Sequence, residues 1–120
     1  MRNVLVAAGW GWAAAIVWLS LTPSPPEVDI AYSDKLEHLA GYGLLMFWFT
    51  QLYVARRSRI VHAAIFLAMG VGLEFLQGTL GYRSYEIADM YANTLGVALG
   101  WALGAMLPPL LPRTADQSRR

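Results

Sequence analysis

Four apolar runs, each close to the length of a membrane-crossing helix, fill most of the 120 residues of this chain. Crossing the hydrocarbon core takes about 20 apolar residues. The runs cover about residues 4–21, 36–54, 60–78 and 86–107. Strong punctuation separates them. Pro23, Pro25 and Pro26 stop the first, because proline lacks an amide donor and clashes with the preceding turn. Arg56, Arg57 and Arg59 stop the second, Gly78 and Gly81 the third, and Pro108 and Pro109 the fourth. With 57% hydrophobic and 14% charged residues, the composition is that of a membrane protein rather than a soluble domain. The expectation is an all-α polytopic membrane protein. It has one four-transmembrane-helix bundle over residues 1–112 and a disordered polar tail at 113–120.

Basic residues set the orientation. Arg2, the group Arg56, Arg57 and Arg59, and the tail residues Arg113, Arg119 and Arg120 fall at alternate ends of the runs. The opposite ends carry Glu27, Asp29, Asp34, Glu37 and Glu86, with Lys35 and Arg83 as the bases. The positive-inside rule then places both termini in the cytoplasm of a bacterial cell, with the acidic loops outside the inner membrane. A cleaved signal peptide is the competing reading of the first run. Its length, its bulky Trp10, Trp12 and Trp18, and the poor cleavage site at Ser20–Thr22 weigh against that reading. The absence of cysteine excludes disulfides, thiolate catalysis and thiolate metal sites.

Ionisable groups interrupt the apolar runs, and helical rise brings them to one level. At 1.5 Å per residue, Glu74 stands about 21 Å above Ile60, His38 about 24 Å above Val54 and Asp89 about 27 Å above Leu107. Asp34, His38 and Tyr42 share one stripe at i, i+4 and i+8. Glu74 and Gln77 are three apart, and Asp89 and Asn93 four. Ala88, Ala92, Gly96, Gly100 and Gly104 form a small-residue stripe beside Asp89 and Asn93. Such stripes let helices approach closely in lipid, so the fourth helix is expected at the centre of the bundle. Ala64, Ala68 and Gly72 predict a similar contact for the third helix. The other half of each run reads as apolar, which argues against a continuous pore.

Charged groups at membrane depth are costly unless partnered, and they mark functional sites by default. Each also has a plainer reading. Asp34 and Glu37 can cap the start of a helix, and Lys35 can snorkel to the headgroups. His38 can be a hydrogen-bonded structural residue or an oriented acid–base group. Glu74 sits near a helix C-terminus, where the dipole disfavours an acid, so it needs a base, a metal or a proton. Asp89 and Asn93 can lock the bundle by hydrogen bonds. Arg83 is an anchor or a clamp for phosphate. His62 is expected at the cytoplasmic interface, and the arginines there need no role beyond topology.

The run Asp34-Lys35-Leu36-Glu37-His38 followed by Tyr42 and Leu45 resembles the D-K-x-x-H-x-x-x-Y-x-x-L motif of the VanZ-like family. Glu74 and Gln77 resemble its E-x-x-Q. Arg83, Asp89, Asn93 and Gly96 resemble its R-x-x-x-x-x-D-x-x-x-N-x-x-G. The likeness runs over about residues 30–104. It implies a small bacterial integral membrane protein of a family whose name-giving member is associated with low-level resistance to the glycopeptide teicoplanin. No established biochemical activity comes with it.

Two functions remain open. One is a binding module for the headgroup of a membrane lipid or a lipid-linked cell-envelope precursor, contacted by Asp34, Lys35, Tyr42, Gln77, Arg83 and Asn93. The other is an intramembrane hydrolase or transferase with His38, Glu74 and Asp89 as acid–base groups, or as metal ligands together with Asp34. A structural or partner protein is the plain alternative. Nucleic acid is not an expected partner, and the sequence names no cofactor or metal.

Overall fold

The computed structural model describes residues 1–22, 33–80 and 87–111. Among these residues the chain is all-helical: α1 Arg2–Leu21, α2 Ser33–Leu52, α3 Arg56–Leu80 and α4 Ile87–Met106. Two of the helices, α1 and the Arg56–Thr79 part of α3, are long and apolar enough to cross a membrane. The polar residues that lower the apolarity of α2 and α4 are largely turned inward. Tyr42, Thr50, Gln51, Asp89 and Asn93 are all buried. The outer faces are apolar, as in the exposed row Leu95, Leu99 and Leu103 of α4 and the exposed Ile60, Ile65, Val71 and Phe75 of α3. Apolar side chains outside and polar side chains inside are the pattern of a protein solvated by lipid.

Helix α2 carries most of the interhelical packing and touches the other three, as α3 does, whereas α4 packs on α2 and α3 and not on α1. This corrects the expected central position of α4. The α2–α4 pair is the most extensive contact, and glycine makes it possible. A Cβ on Gly96 would stand 2.5 Å from the Leu39 carbonyl oxygen, and one on Gly100 would run into the Gly43 carbonyl. Here the backbones themselves meet. Ala88, at the head of the same stripe, is exposed. Four residues turn a helix by about 400°, so a strict i+4 row drifts about 40° per step around it. Asp89 and Asn93 take over the buried face.

The predicted stripe on α3 does not hold. Ala64, Ala68 and Gly72 are exposed, and nothing lies within 4 Å of a Cβ built on Gly72. The face that packs is formed instead by Ala63, Phe66, Gly70, Glu74 and Gln77. Helix α1 is an integral part of the bundle. Gly9 lies under the rings of Phe49 and Trp48, and the indoles of Trp12 and Trp48 donate to the carbonyls of Gly41 and Leu5 at 3.0 and 2.8 Å.

Helix C-termini leave carbonyls without intrahelical donors, and lipid supplies none. In this bundle neighbouring helices supply them. Gln51 of α2 donates at 2.8 Å to the Gly104 carbonyl of α4, whose regular partner would be Pro108, a residue with no amide proton. Arg59 donates to the carbonyls of Thr50 and Tyr53 at 2.9 and 2.8 Å. Arg2 donates to Leu52 at 3.1 Å while lying over the Tyr53 ring. Gln77 of α3 donates to Ser20 of α1 at 2.7 Å. So Arg2 and Arg59 do more than set topology. Helix α3 begins at Arg56, because the Arg59 amide bonds the Ala55 carbonyl. The arginines expected in a loop form its first turn. The half expected to be apolar also buries polar groups, Thr50 and Gln51. His62 is no simple interfacial residue: it stacks on Phe49 and Tyr53 at 4.8 and 4.6 Å and meets the Ser58 carbonyl at 2.7 Å.

Candidate polar site and groove

The end of α1, the start of α2, the end of α3 and the start of α4 meet at one end of the bundle. Helical spacing turns their polar residues inward. His38 lies at the centre. Its Nδ1 meets Asn93 Oδ1 at 2.9 Å, and its Nε2 stands 3.8 Å from Asp89 Oδ2. An amide oxygen accepts, so in this arrangement Nδ1 donates to Asn93, while Nε2 faces a carboxylate. At 3.8 Å the two atoms are beyond direct hydrogen-bond reach. A polar group placed between them would bridge the two.

Asp89 is anchored from its other oxygen. Lys35 Nζ lies 2.7 Å from Oδ1, with side chains 26% and 10% exposed. The contact is that of an ion pair: Oδ1 takes no well-directed hydrogen bond among the described residues. Glu74, 1% exposed, belongs to a second subset. It lies near Tyr42, and it is itself partnered. Gly70 joins the two subsets, since a Cβ there would meet Asn93 Nδ2 at 3.0 Å and Tyr42 Cε2 at 3.4 Å.

The structure therefore brings together Lys35, His38, Asp89 and Asn93, with Tyr42, Glu74 and Gln77 alongside. Gln77 has its amide donor engaged at Ser20. Glu37 is exposed. Arg83 and the side chain of Asp34 lie outside the described residues. Among the described residues no three His, Asp or Glu side chains converge as metal ligands do, so Glu74 does not join His38 and Asp89 in one such group.

A groove of about 360 Å³ opens beside this cluster between α1 and α2. Its walls include Trp12, Ala15, Ile16 and Leu19 of α1 and Ala40 and Leu44 of α2, with Ser20, Glu37, His38 and Tyr42 as the polar part of its lining. Sequence reasoning missed it. The facing small residues Ala15, Ala40 and Gly41 are its only trace in the sequence.

A sequence profile of the VanZ/LLP1 family matches residues 10–108. The chain belongs to the VanZ/LLP1 family. The match takes in every described residue of the cluster. This VanZ/LLP1 chain is also 30% identical, over 84 residues, to an uncharacterised protein of Schizosaccharomyces pombe. The alignment covers 68% of this chain and 52% of the yeast protein, so the chain spans about half the length of that relative. No solved structure matches the chain.

Proposed function

We propose that this VanZ/LLP1 protein is a four-span protein of the bacterial cytoplasmic membrane, with both termini inside. On this reading the cluster around His38 is an outward-facing site for the headgroup of a membrane lipid or a lipid-linked cell-envelope precursor. The observation that carries the reading is the cluster Lys35, His38, Asp89 and Asn93, gathered at the end of the bundle where the groove's polar lining begins. Its ionisable groups His38 and Asp89 stand 3.8 Å apart beside that lining, placed to contact a polar headgroup. Lys35 and Asn93 fix the two groups from behind. The apolar outer faces of α2 and α4 support a four-span arrangement. The yeast relative favours a lipid headgroup, which both kinds of cell share, over a component of one kind of wall. Were the ligand an envelope precursor, its capture would alter the access of a glycopeptide such as teicoplanin.

The placement of His38 Nε2 beside the Asp89 carboxylate favours a second reading as well. An oriented imidazole beside a carboxylate is a general base, and a water placed there would attack a headgroup ester. The two readings separate on turnover. Native mass spectrometry with metal analysis, on protein purified in mild detergent beside Glu74→Gln and Asp89→Asn, tests the first. Wild type is expected to keep a defined lipid that both variants lose. Uniform bulk lipid in all three would refute it. Conversion of the retained lipid would instead move the assignment to the enzyme.

A further inference from the structure

The groove between α1 and α2 is graded along its length. On α1 it runs from Trp12 to Ser20, about 12 Å of helix, and on α2 from Leu44 back to Glu37, about 10 Å. The apolar residues Trp12 and Leu44 lie at the deep end. Ser20, Glu37 and His38 lie at the end that meets the cluster. At about 360 Å³ it falls within the usual range for a small-molecule site, about 300–1,000 Å³. Its direction is that of a lipid in one leaflet, with the head at the helix ends and the tail toward the middle of the bundle.

Charge selects the head. No lysine or arginine lines the groove among the described residues, and Glu37 sets an exposed carboxylate at its polar end. The neighbouring base, Lys35, is held on Asp89 at 2.7 Å. His38 lines the same wall with Nδ1 engaged at Asn93 and Nε2 turned toward Asp89. An anionic head would meet a like charge at Glu37, whereas an ammonium would meet an opposite one.

We infer that the groove seats an alkyl chain of an amine-headed membrane lipid, with the ammonium held by Glu37. This inference rests on the headgroup reading above and names its ligand class. The test is native mass spectrometry of the full chain in mild detergent. The probes are equimolar lysophosphatidylethanolamine and lysophosphatidylglycerol of one acyl length, which differ at the amine.

Wild type is expected to retain the amine probe about twofold to fivefold better, the range of an exposed charge contact. Glu37→Gln keeps both probes and loses the preference. Ala40→Phe and Ala15→Leu fill the groove from opposite walls, and each lowers retention of both probes about tenfold. Equal retention by wild type, a preference that survives Glu37→Gln, or groove-filled variants that bind like wild type would overturn the inference. Asp89→Asn separates the two levels. If it alone loses the amine probe, the groove assignment falls and the headgroup site stands. If wild type retains neither probe, both fall.

Discussion

Adding one methyl group to Gly100 tests how the α2–α4 contact holds the site together. A Cβ there would collide with the Gly43 carbonyl oxygen and stand 2.9 Å from the Phe47 amide nitrogen. Both obstacles are backbone, so no rotamer change relieves them. Ordinary contact begins at 3.4 Å, so the helices must part by roughly 1 Å, and overpacking of this kind costs about 1–3 kcal/mol. Gly72 provides the control. Nothing lies within 4 Å of its Cβ position, and alanine there gains helix propensity worth up to about 1 kcal/mol. The same substitution is thus expected to have opposite signs on neighbouring helices. Unfolding in a denaturing-detergent titration, followed by tryptophan fluorescence, measures both. Gly100→Ala should shift the folding equilibrium about thirtyfold toward unfolded, for about 2 kcal/mol, while Gly72→Ala should leave it unchanged or improve it. Parting α2 from α4 also pulls His38 from Asn93 and Lys35 from Asp89, so Gly100→Ala should lose any ligand that wild type retains. If the two variants are equally stable, or Gly100→Ala is the better folded, the backbone contact described here is wrong.

Other expectations follow from single contacts. Gln51→Leu removes the donor that stands in for Pro108 at the end of α4. It should cost about 1 kcal/mol in the same titration, with hydrogen exchange rising at the C-terminal turn of α4 and not at its start. Lys35→Ala leaves Asp89 buried without its cation and should cost about 3 kcal/mol; Lys35→Ala combined with Asp89→Asn should recover a large part of it. A double variant no more stable than the single one would refute that pairing. His38→Gln keeps a polar side chain beside Asn93 but removes the imidazole. It should fold with less than about 1 kcal/mol lost and fail to retain the lipid that wild type holds.

The helices were legible because apolar runs of membrane length leave few alternatives. The convergence of His38, Asp89 and Asn93 was also legible, since rise per residue gives height and i+4 spacing gives direction. Small-residue stripes were legible as candidates and not as contacts. Gly96 and Gly100 meet α2, whereas Ala64, Ala68 and Gly72 face outward, and the sequence offers no partner surface to tell the two apart. Gln51 was passed over, and Arg2 and Arg59 were given too small a role, for a related reason. A polar residue near a helix end looks interfacial until the carbonyl it serves, on another helix, is known. The groove was invisible because it is a gap between α1 and α2 rather than a pattern within either.

The exchange of end caps between helices has a consequence for biogenesis. The Ser20 carbonyl receives its donor from a residue made 57 positions later, and Arg2 reaches its acceptor only 50 positions on. On the four-span reading, α1 would enter the bilayer before the donor for its Ser20 carbonyl is made, and α2 before Arg59 is. No helix whose end is capped by a later one is finished when it is inserted. Assembly of this small bundle must be nearly all-or-none, and a chain halted before Gln77 carries exposed carbonyls that mark it as incomplete.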